Sequence, residues 1–205
     1  VGRVGADRSL AIGLVLIGVA QLARRQAAGF PGLLLATLGI GVGGTAVTFG
    51  LPKLVATLFP AGETGRPSSL YLLGSSAGTA GAFALGRPVL GPALGGWRAL
   101  FLWSGVACLA YAVLWVVTTR LIGPRREAIE AGDTGTETAP LEDLRRVLAH
   151  RDLRLVVVVG TMYLLVIHGL QGWLPTILEA RGVGPDLAGG TTSLLVGANV
   201  VGILL

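Results

Sequence analysis

Two long apolar segments joined by a short polar turn limit what this chain can fold into more than any other feature. The first covers residues 30–58 and contains one charged side chain, Lys53, and the second covers residues 68–90 and contains one, Arg87. Each exceeds the roughly 20 apolar residues that a helix needs to cross a bilayer core about 30 Å thick. The turn, residues 60–67, is too short for a domain and too polar to be buried. The sequence therefore predicts a membrane hairpin whose two helices fold back on each other.

Both segments carry small residues at helical spacing. Helices in lipid gain little by burying apolar surface against each other, so they associate through close packing at Gly, Ala and Ser. We therefore predict a packing surface on each segment. The residues concerned are Gly39, Gly43 and Gly50 on the first segment and Gly74, Gly78 and Gly81 on the second.

The remaining chain repeats the apolar pattern. Of all residues 52% are hydrophobic and 13% are charged, against about 25% charged in soluble domains. We predict an all-α, multi-pass membrane protein with five complete transmembrane helices and the start of a sixth. The predicted helices cover residues 10–26, 30–58, 68–90, 99–119, 155–178 and 187–205. Because the last apolar run is still open at residue 205, we expect a fragment of a longer protein, with further helices on both sides.

Basic and aromatic residues mark the predicted ends of two of these helices. The run 10–26 is short, and it spans the membrane only if Arg24 and Arg25 extend outward to the interface, which long basic side chains do at modest cost. Trp103 and Trp115 lie near the two ends of the run 99–119. Aromatic side chains at such positions form belts at the membrane interface.

A polar stretch, residues 120–154, separates two blocks of apolar runs. It is rich in Arg, and because Lys and Arg gather on the cytoplasmic side of membrane proteins, we predict that this linker is cytoplasmic. Within it, Leu141, Leu144 and Leu148 fall on one face of a short amphipathic helix. Such a helix lies on the membrane surface or against the bundle, or it is simply a solvated part of the linker.

Composition argues against several other function classes. The basic residues stand at the ends of apolar runs rather than along an exposed basic stripe, so we predict no nucleic-acid partner. Cys108 is the only cysteine and the chain has two histidines, so we predict no disulfide framework, no metal cluster and no cofactor. Residues 39–44 fit the nucleotide-binding pattern Gly-x-Gly-x-x-Gly. They stand inside an apolar run without a preceding strand, so nucleotide binding is not predicted.

Two motifs resemble those of the major facilitator superfamily of secondary transporters. Residues 2–8, Gly-Arg-Val-Gly-Ala-Asp-Arg, are similar to the cytoplasmic signature between the second and third helices of that family, with one extra residue before the Asp. Residues 91–98, Gly-Pro-Ala-Leu-Gly-Gly-Trp-Arg, are similar to the end of its fifth helix and the start of its sixth. The resemblance implies conformational roles for Gly2, Asp7, Arg8, Gly91, Pro92, Gly95 and Gly96.

This resemblance implies helices three to eight of a twelve-helix protein. Residues 1–119 then form the second part of the N-terminal helical half, residues 120–154 the linker, and residues 155–205 the start of the C-terminal half. Such halves rock about a site near the bilayer midplane and give alternating access to it. We therefore expect a secondary active transporter in a prokaryotic plasma membrane, not an enzyme. Its expected partners are a small-molecule solute and the lipid bilayer, and its expected state is a monomer.

Three further stretches resemble the cyanate permease and nitroimidazole transporter branch of the same family. Residues 51–60 contain the pattern Leu-Pro-Lys-Leu-Val followed by Phe-Pro, and residues 69–71 read Ser-Leu-Tyr. The third stretch, Trp-Leu-Pro-Thr-Ile-Leu at residues 173–178, is followed by Gly182 and by Ala-Gly at residues 188–189. Tyr71 and Trp173 within these stretches are among the candidate solute contacts.

The charges within the apolar runs indicate the class of solute. No Asp or Glu falls inside a predicted membrane run, whereas Lys53 does, and proton and cation sites in transporters commonly use a carboxylate there. We therefore predict a small anion or a neutral polar metabolite. Lys53 follows Pro52, which is expected to kink the helix and free carbonyl groups. Lys53 either contacts the solute or extends to the cytoplasmic interface, and Arg87 is interpreted as an interfacial anchor.

Polar residues at helical spacing supply the remaining candidates. Thr37, Thr45 and Thr48 follow one face of the first segment, and His168 and Gln171 share a face of a later one. Such faces point into a helix bundle, where they contact a solute or hydrogen-bond to another helix. The candidate solute contacts are Lys53, Thr45, Thr48, Tyr71, His168, Gln171 and Trp173.

Two alternatives to transport stay open at this point. One is an integral-membrane enzyme that uses His168, although the chain contains no Gly-x-Ser-x-Gly elbow typical of hydrolases. The other is a membrane module that packs or senses without moving a solute.

Overall fold

The computed structural model describes residues 5–60, 62–130 and 149–204, with the backbone alone at 87, 122–130, 199 and 202–204. The described residues form helices and contain no strand, so the predicted all-α class is confirmed. In chain order the helices are α1 (Ala6–Gln26), α2 (Phe30–Leu58), α3 (Gly65–Leu85), α4 (Gly91–Leu94), α5 (Trp97–Glu130), α6 (Arg151–Ala180) and α7 (Pro185–Leu204). A π-helical segment, Gly86–Leu90, connects α3 to α4.

Four of the described helical stretches are long and apolar enough to cross a membrane by length and composition alone. They are α1, α2, the part of α5 from Trp97 to Leu121, and α6. Helix α3, which is rich in Gly and Ser, and helix α7 are outside this set. Many large apolar side chains on the four stretches are exposed, for example Leu35 and Val42 on α2. Such surfaces suit a lipid environment, where apolar side chains need not be covered by protein.

Helices α1, α2 and α5 form one packed group, which we call the α1 group, with α1 between the other two. Where α1 meets α2, a Cβ atom built on Gly13 would lie 2.8 Å from the carbonyl oxygen of Gly43. Where α1 meets α5, a Cβ atom built on Gly18 would lie 2.7 Å from Cγ of Leu109. Glycine on two faces of α1 therefore lets both neighbours approach its backbone.

The α1 group has a small buried core at one end. Ala6, Leu10 and Leu54 are buried together there, and Trp115 of α5 packs against them. All three helices contribute to this core, so the α1 group is held at this end by apolar contact as well as by close backbone packing.

Helices α3, α6 and α7 form a second packed group, which we call the α3 group. Ala188, Thr192 and Val196 of α7 are almost fully buried. A Cβ atom built on Gly189 would lie 2.9 Å from the carbonyl oxygen of Phe83 on α3. The polar linker separates α3 from α7 in sequence, so this contact joins the two apolar blocks of the chain.

The prediction that the two hairpin helices fold back on each other is wrong. Helices α2 and α3 are consecutive but scarcely contact each other, since α2 packs on α1 and α3 packs on α7. A Cβ atom built on Gly74, Gly78 or Gly81 of α3 would meet no described atom within 4 Å. Small residues on a helix permit close approach but do not specify which helix approaches.

Helix α5 is longer than its apolar run indicates. It continues to Glu130, into the stretch assigned to the linker, and its 34 residues correspond to about 51 Å at 1.5 Å per residue. That length exceeds the hydrocarbon core of about 30 Å, so part of the helix projects beyond the bilayer. Arg, Glu and Ala in the extension favour a helix, and the helix continues through Gly123 and Pro124, which do not. The predicted amphipathic helix at Leu141, Leu144 and Leu148 lies outside the described residues.

Candidate functional site

Helix α2 has two different faces. One face packs on α1: a Cβ atom built on Gly43 would lie 2.7 Å from the carbonyl oxygen of Gly13, and one on Gly50 would lie 2.9 Å from Leu10. Gly39, one turn before Gly43, approaches Ala20 in the same way, at 3.2 Å. The predicted packing role of the glycines on this segment is confirmed, with α1 as the partner.

The threonines follow a different face of α2. At 100° per residue, Thr45 and Thr48 lie well over 90° from the direction of Gly43 and Gly50, and both side chains are exposed. The Thr45 hydroxyl donates a hydrogen bond to the carbonyl oxygen of Val42 at 2.7 Å. Thr48 has no hydrogen-bond partner among the described residues. This face is therefore polar and uncovered by the α1 group.

Thr37 has a partner on another helix, in agreement with the interhelical alternative. Its hydroxyl oxygen accepts a hydrogen bond of 2.7 Å from Nη2 of Arg24 on α1, and the same hydroxyl donates to the carbonyl oxygen of Leu33 at 2.6 Å. Arg24 also lies over the ring of Phe101 on α5, with its Cζ atom 5.4 Å from the ring centroid. Arg24 therefore contacts both neighbouring helices near the end of α1, and its predicted extension to the interface stays a prediction.

Lys53 lies near the end of α2 that carries the buried core. Its side chain is exposed and forms no hydrogen bond or ion pair with any described residue. Helix α2 continues through Pro52 to Leu58 without interruption. Since Pro52 has no N–H group, the carbonyl of Thr48, four residues earlier, lacks its usual helical donor. Lys53 and Thr48 are five residues apart, about 140° around the helix, so they do not share a face.

The candidates on α6 are accessible. His168 and Trp173 are exposed, Trp173 at 66%, while Gln171 is partly buried. Pro175 lies inside α6, so the carbonyl of Gln171, four residues earlier, also lacks its usual donor. None of these three side chains forms a hydrogen bond with a described residue. Helix α6 contacts α7 and no other described helix.

The described structure does not bring the seven candidate solute contacts together. They lie on α2, α3 and α6, and no contact joins α2 to α6. Tyr71 on α3 is partly buried and has no hydrogen-bond partner in the described part of the chain. The candidates therefore belong to separate surfaces of the two packed groups rather than to one closed pocket.

The glycine-rich motif at residues 91–96 forms a specific helix end. The N–H of Gly96 donates to the carbonyl oxygen of Gly91 at 2.7 Å, and the N–H of Gly95 donates to that of Pro92 at 3.2 Å. This is the hydrogen-bond pattern of a Schellman motif, which requires a left-handed residue at the helix end. Gly95 supplies it, with φ of 83°, and Gly96 follows with φ of 114°. Side chains at either position would strain the turn.

The π-helical segment directly precedes this motif. The N–H of Gly91 donates to the carbonyl oxygen of Gly86, five residues earlier. Pro88 and Pro92 both lack the N–H that an α-helical ladder requires, which favours a wider turn here. Such segments within α-helices occur frequently at functional sites. The side chain of Arg87, predicted as an anchor, lies outside the described side chains.

The second motif lies at the start of α1. Nε1 of Trp115 on α5 donates a hydrogen bond of 3.3 Å to the backbone carbonyl of Asp7, and Arg8 is exposed. Trp115 therefore joins α5 to the first turn of α1, and its predicted place in an interfacial belt stays a prediction. Gly2 lies outside the described residues.

Sequence reasoning missed Arg24, Trp115 and Gly189 as contact residues. Each was visible as a residue type, but its partner lies far away in the chain: Phe101 for Arg24, Asp7 for Trp115 and Phe83 for Gly189. The local sequence gives only a weak signal. In an apolar helix, Arg and Trp carry N–H groups that need an acceptor, and Gly leaves room for a neighbouring helix.

Acidic side chains and metal donors are sparse in the apolar helices. No Asp or Glu lies between Asp7 and Glu63, or between Glu63 and Glu127. Within the described residues, no group of three His, Cys, Asp or Glu side chains is placed to hold a metal ion.

Comparison with known proteins identifies the family. The family model of the Major Facilitator Superfamily matches residues 1–205 of this chain. No curated protein and no solved structure matches the chain. Members of that superfamily are transporters, which fits the prediction that the chain is not an enzyme and does not favour the alternatives. With helices that suit a membrane and a match over residues 1–205, the chain belongs to the Major Facilitator Superfamily, a family of secondary transporters.

Proposed function

We propose that this transporter moves a small anion or a neutral polar metabolite, and that Lys53 contacts the solute. The observation that carries the proposal is the exposed ammonium group of Lys53, which lacks any partner in the described part of the chain. Asp7, on α1 at the same end of the α1 group, forms no ion pair with Lys53. A cation next to the hydrocarbon core favours an anion from outside the protein.

The depth of Lys53 refines its role. Helix α2 has 29 residues, about 43 Å at 1.5 Å per residue, and Lys53 lies about 8 Å from its C-terminal end. The ammonium therefore lies close to the edge of a hydrocarbon core about 30 Å thick. Thr45 and Thr48 lie nearer the middle of the helix. In this proposal Lys53 receives the solute at the mouth of the pathway, and the threonine face contacts it at mid-depth.

Alternating access requires a contact between the two halves that opens and closes. The approach of Gly189 to the Phe83 carbonyl is such a contact, because α3 and α7 belong to different apolar blocks. The π-helical segment follows α3 directly after this contact, and the Schellman motif then ends α4. We propose that this interface separates when the transporter changes state.

Uptake by Lys53 variants tests the proposed role. Lys53→Ala is expected to lower the specificity constant for small anions such as cyanate by about 10- to 100-fold, as for loss of a charged hydrogen bond. Lys53→Arg is expected to rescue uptake only partly, because a planar guanidinium does not replace a compact ammonium. Arg25→Ala, which removes an exposed cation at the other end of the α1 group, is the control. If Lys53 only extends to the interface, both Lys53 variants transport normally.

Orientation is a separate proposal, with residues 120–154 in the cytoplasm. It is supported by the Arg content of this linker compared with the opposite side of the chain. A cysteine at Thr134, in a background without native cysteines, is expected to react with impermeant maleimide in inverted vesicles and not in intact cells. Labelling of intact cells would reverse the topology and place Lys53 at the outer mouth.

A further inference from the structure

A cluster of two arginines and two aromatic rings lies at the end of the α1 group opposite Asp7. Arg24 donates to Thr37 at 2.7 Å and lies 5.4 Å over Phe101. Phe101 meets Trp97 edge to face, with centroids 5.7 Å apart, and the Cζ atom of Arg98 lies 5.0 Å over Trp97. We call these five residues the Arg24 cluster.

The positive charge of this cluster has no counter-charge within the group. The partners of Arg24 are a hydroxyl and an aromatic ring, both neutral, and Arg24 forms no ion pair among the described residues. Helices α1, α2 and α5 contain no acid between Asp7 and Glu127. A partly buried guanidinium is costly unless an anion compensates it. The first turns of α2 and α5 lie at this end as well and add partial positive charge.

The geometry leaves Arg24 ready to bind. A guanidinium has five N–H donors, and one of them is used by Thr37. The contact with the Phe101 ring restrains the guanidinium as well. A planar guanidinium can offer two N–H groups to two oxygens of a phosphate or carboxylate.

The position of the cluster favours a phosphate at the depth of lipid headgroups. Arg24 is in the last turn of α1 and Trp97, 50% exposed, begins α5, so both lie where interfacial Trp and Arg residues are found. An apolar groove of about 600 Å³ between α1 and α2 reaches the same last turn, at Gln26 and Ala27. The groove and the cluster share this end of the α1 group, but no residue of the cluster lines the groove.

We propose that the Arg24 cluster is a phosphate-binding site for a phosphate-type oxyanion, either the headgroup of an anionic phospholipid or a soluble phosphate. The lipid is the expected source, because the cluster combines Arg and Trp at the helix ends, where such residues meet lipid headgroups. The site is separate from Lys53, which is near the opposite end of α2, so it does not rest on the proposed solute.

Binding measured without transport tests the site. The purified full-length protein in a neutral detergent is titrated with phosphatidylglycerol, phosphatidylcholine or inorganic phosphate, and binding is read by native mass spectrometry and by thermal stability. Wild-type protein is expected to prefer phosphatidylglycerol to phosphatidylcholine. Arg24→Gln is expected to weaken phosphatidylglycerol binding about tenfold, the loss of one charged hydrogen bond. Arg25→Gln, with the same charge loss at the next, exposed residue, is expected to stay within about twofold.

A second variant and a titration with inorganic phosphate complete the test. Arg98→Gln alters an exposed side chain, so it is expected to fold normally and to weaken binding about threefold. Arg98→Gln replaces Arg24→Gln in the test if the Arg24 variant does not give monodisperse protein. Soluble phosphate is the ligand if inorganic phosphate stabilises wild-type protein but not Arg24→Gln, and wild-type protein shows no preference for phosphatidylglycerol over phosphatidylcholine. Equal binding by the Arg24, Arg25 and Arg98 variants would overturn the site.

Discussion

Replacing Gly189 with alanine is expected to shift the transporter away from this conformation, whereas the same change at Gly190 is not. The new Cβ atom at residue 189 would lie 2.9 Å from the backbone carbonyl oxygen of Phe83, while at residue 190 it would meet no described atom within 4 Å. A backbone oxygen cannot rotate away, so α3 and α7 must separate. Both changes give the same gain in helix propensity, so the difference between them isolates the contact.

The size of this effect follows from overpacking of a close contact. Inserting a methyl group into a tightly packed position costs about 1–3 kcal/mol, which corresponds to a population shift of about 5- to 150-fold. Spin labels at Leu70 of α3 and Leu194 of α7, both largely exposed, report the separation of the two helices by pulsed electron paramagnetic resonance. Gly189→Ala is expected to move the distance distribution toward the separated state. Identical distributions for the Gly189 and Gly190 variants would mean that this contact does not control the state.

Replacing Gly43 with alanine is expected to lower stability strongly, and Gly44→Ala is not. A Cβ atom on Gly43 would lie 2.7 Å from the Gly13 carbonyl oxygen and 2.8 Å from Cγ1 of Ile17. One on Gly44 would meet nothing described within 4 Å. Backbone on one side and a packed side chain on the other leave little freedom to adjust. The expected loss for Gly43→Ala is about 1–3 kcal/mol.

Thermal unfolding of the two purified variants in the same detergent measures this difference. Gly44→Ala is expected to match wild type or to be slightly more stable, because alanine favours the helix. Gly43→Ala is expected to unfold at a clearly lower temperature. Equal midpoints for the two variants would show that α1 and α2 do not pack at this point.

The helical class of the chain could be predicted because it depends on local composition. Apolar runs long enough to cross a bilayer are visible without knowledge of neighbours, as residues 30–58 show for α2. The packing of Gly43 could also be expected, since small residues at helical spacing permit close approach. The partner could not, because Gly43 and Gly78 carry the same local signal and only Gly43 has a neighbour.

Side-chain contacts could not be predicted where they depend on distant residues. Arg24, near the end of α1, contacts Thr37 and Phe101 on two other helices. Trp115 donates its indole N–H to the carbonyl of Asp7, which is 108 residues away in the chain. Both outcomes are set by which helices meet, which a single sequence does not encode locally.

The candidate solute contacts show the same limit. Residue type and spacing selected Lys53, Thr48 and His168, but the described part of the chain has no contact between α2 and α6. Whether such residues face one pathway depends on the arrangement of the two packed groups. Their roles as solute contacts remain predictions, and the Lys53 variants test the first of them.

Solute exchange by the purified full-length protein in proteoliposomes tests the central claim most directly. Vesicles loaded with an unlabelled small anion or neutral polar metabolite are diluted into labelled solute, and internal label is followed over time. A transporter with alternating access is predicted to give transient, saturable accumulation of label above the external concentration, because outward exchange drives inward exchange. Label that only equilibrates at a rate proportional to concentration, or no entry at all for any solute of these two classes, would contradict the account.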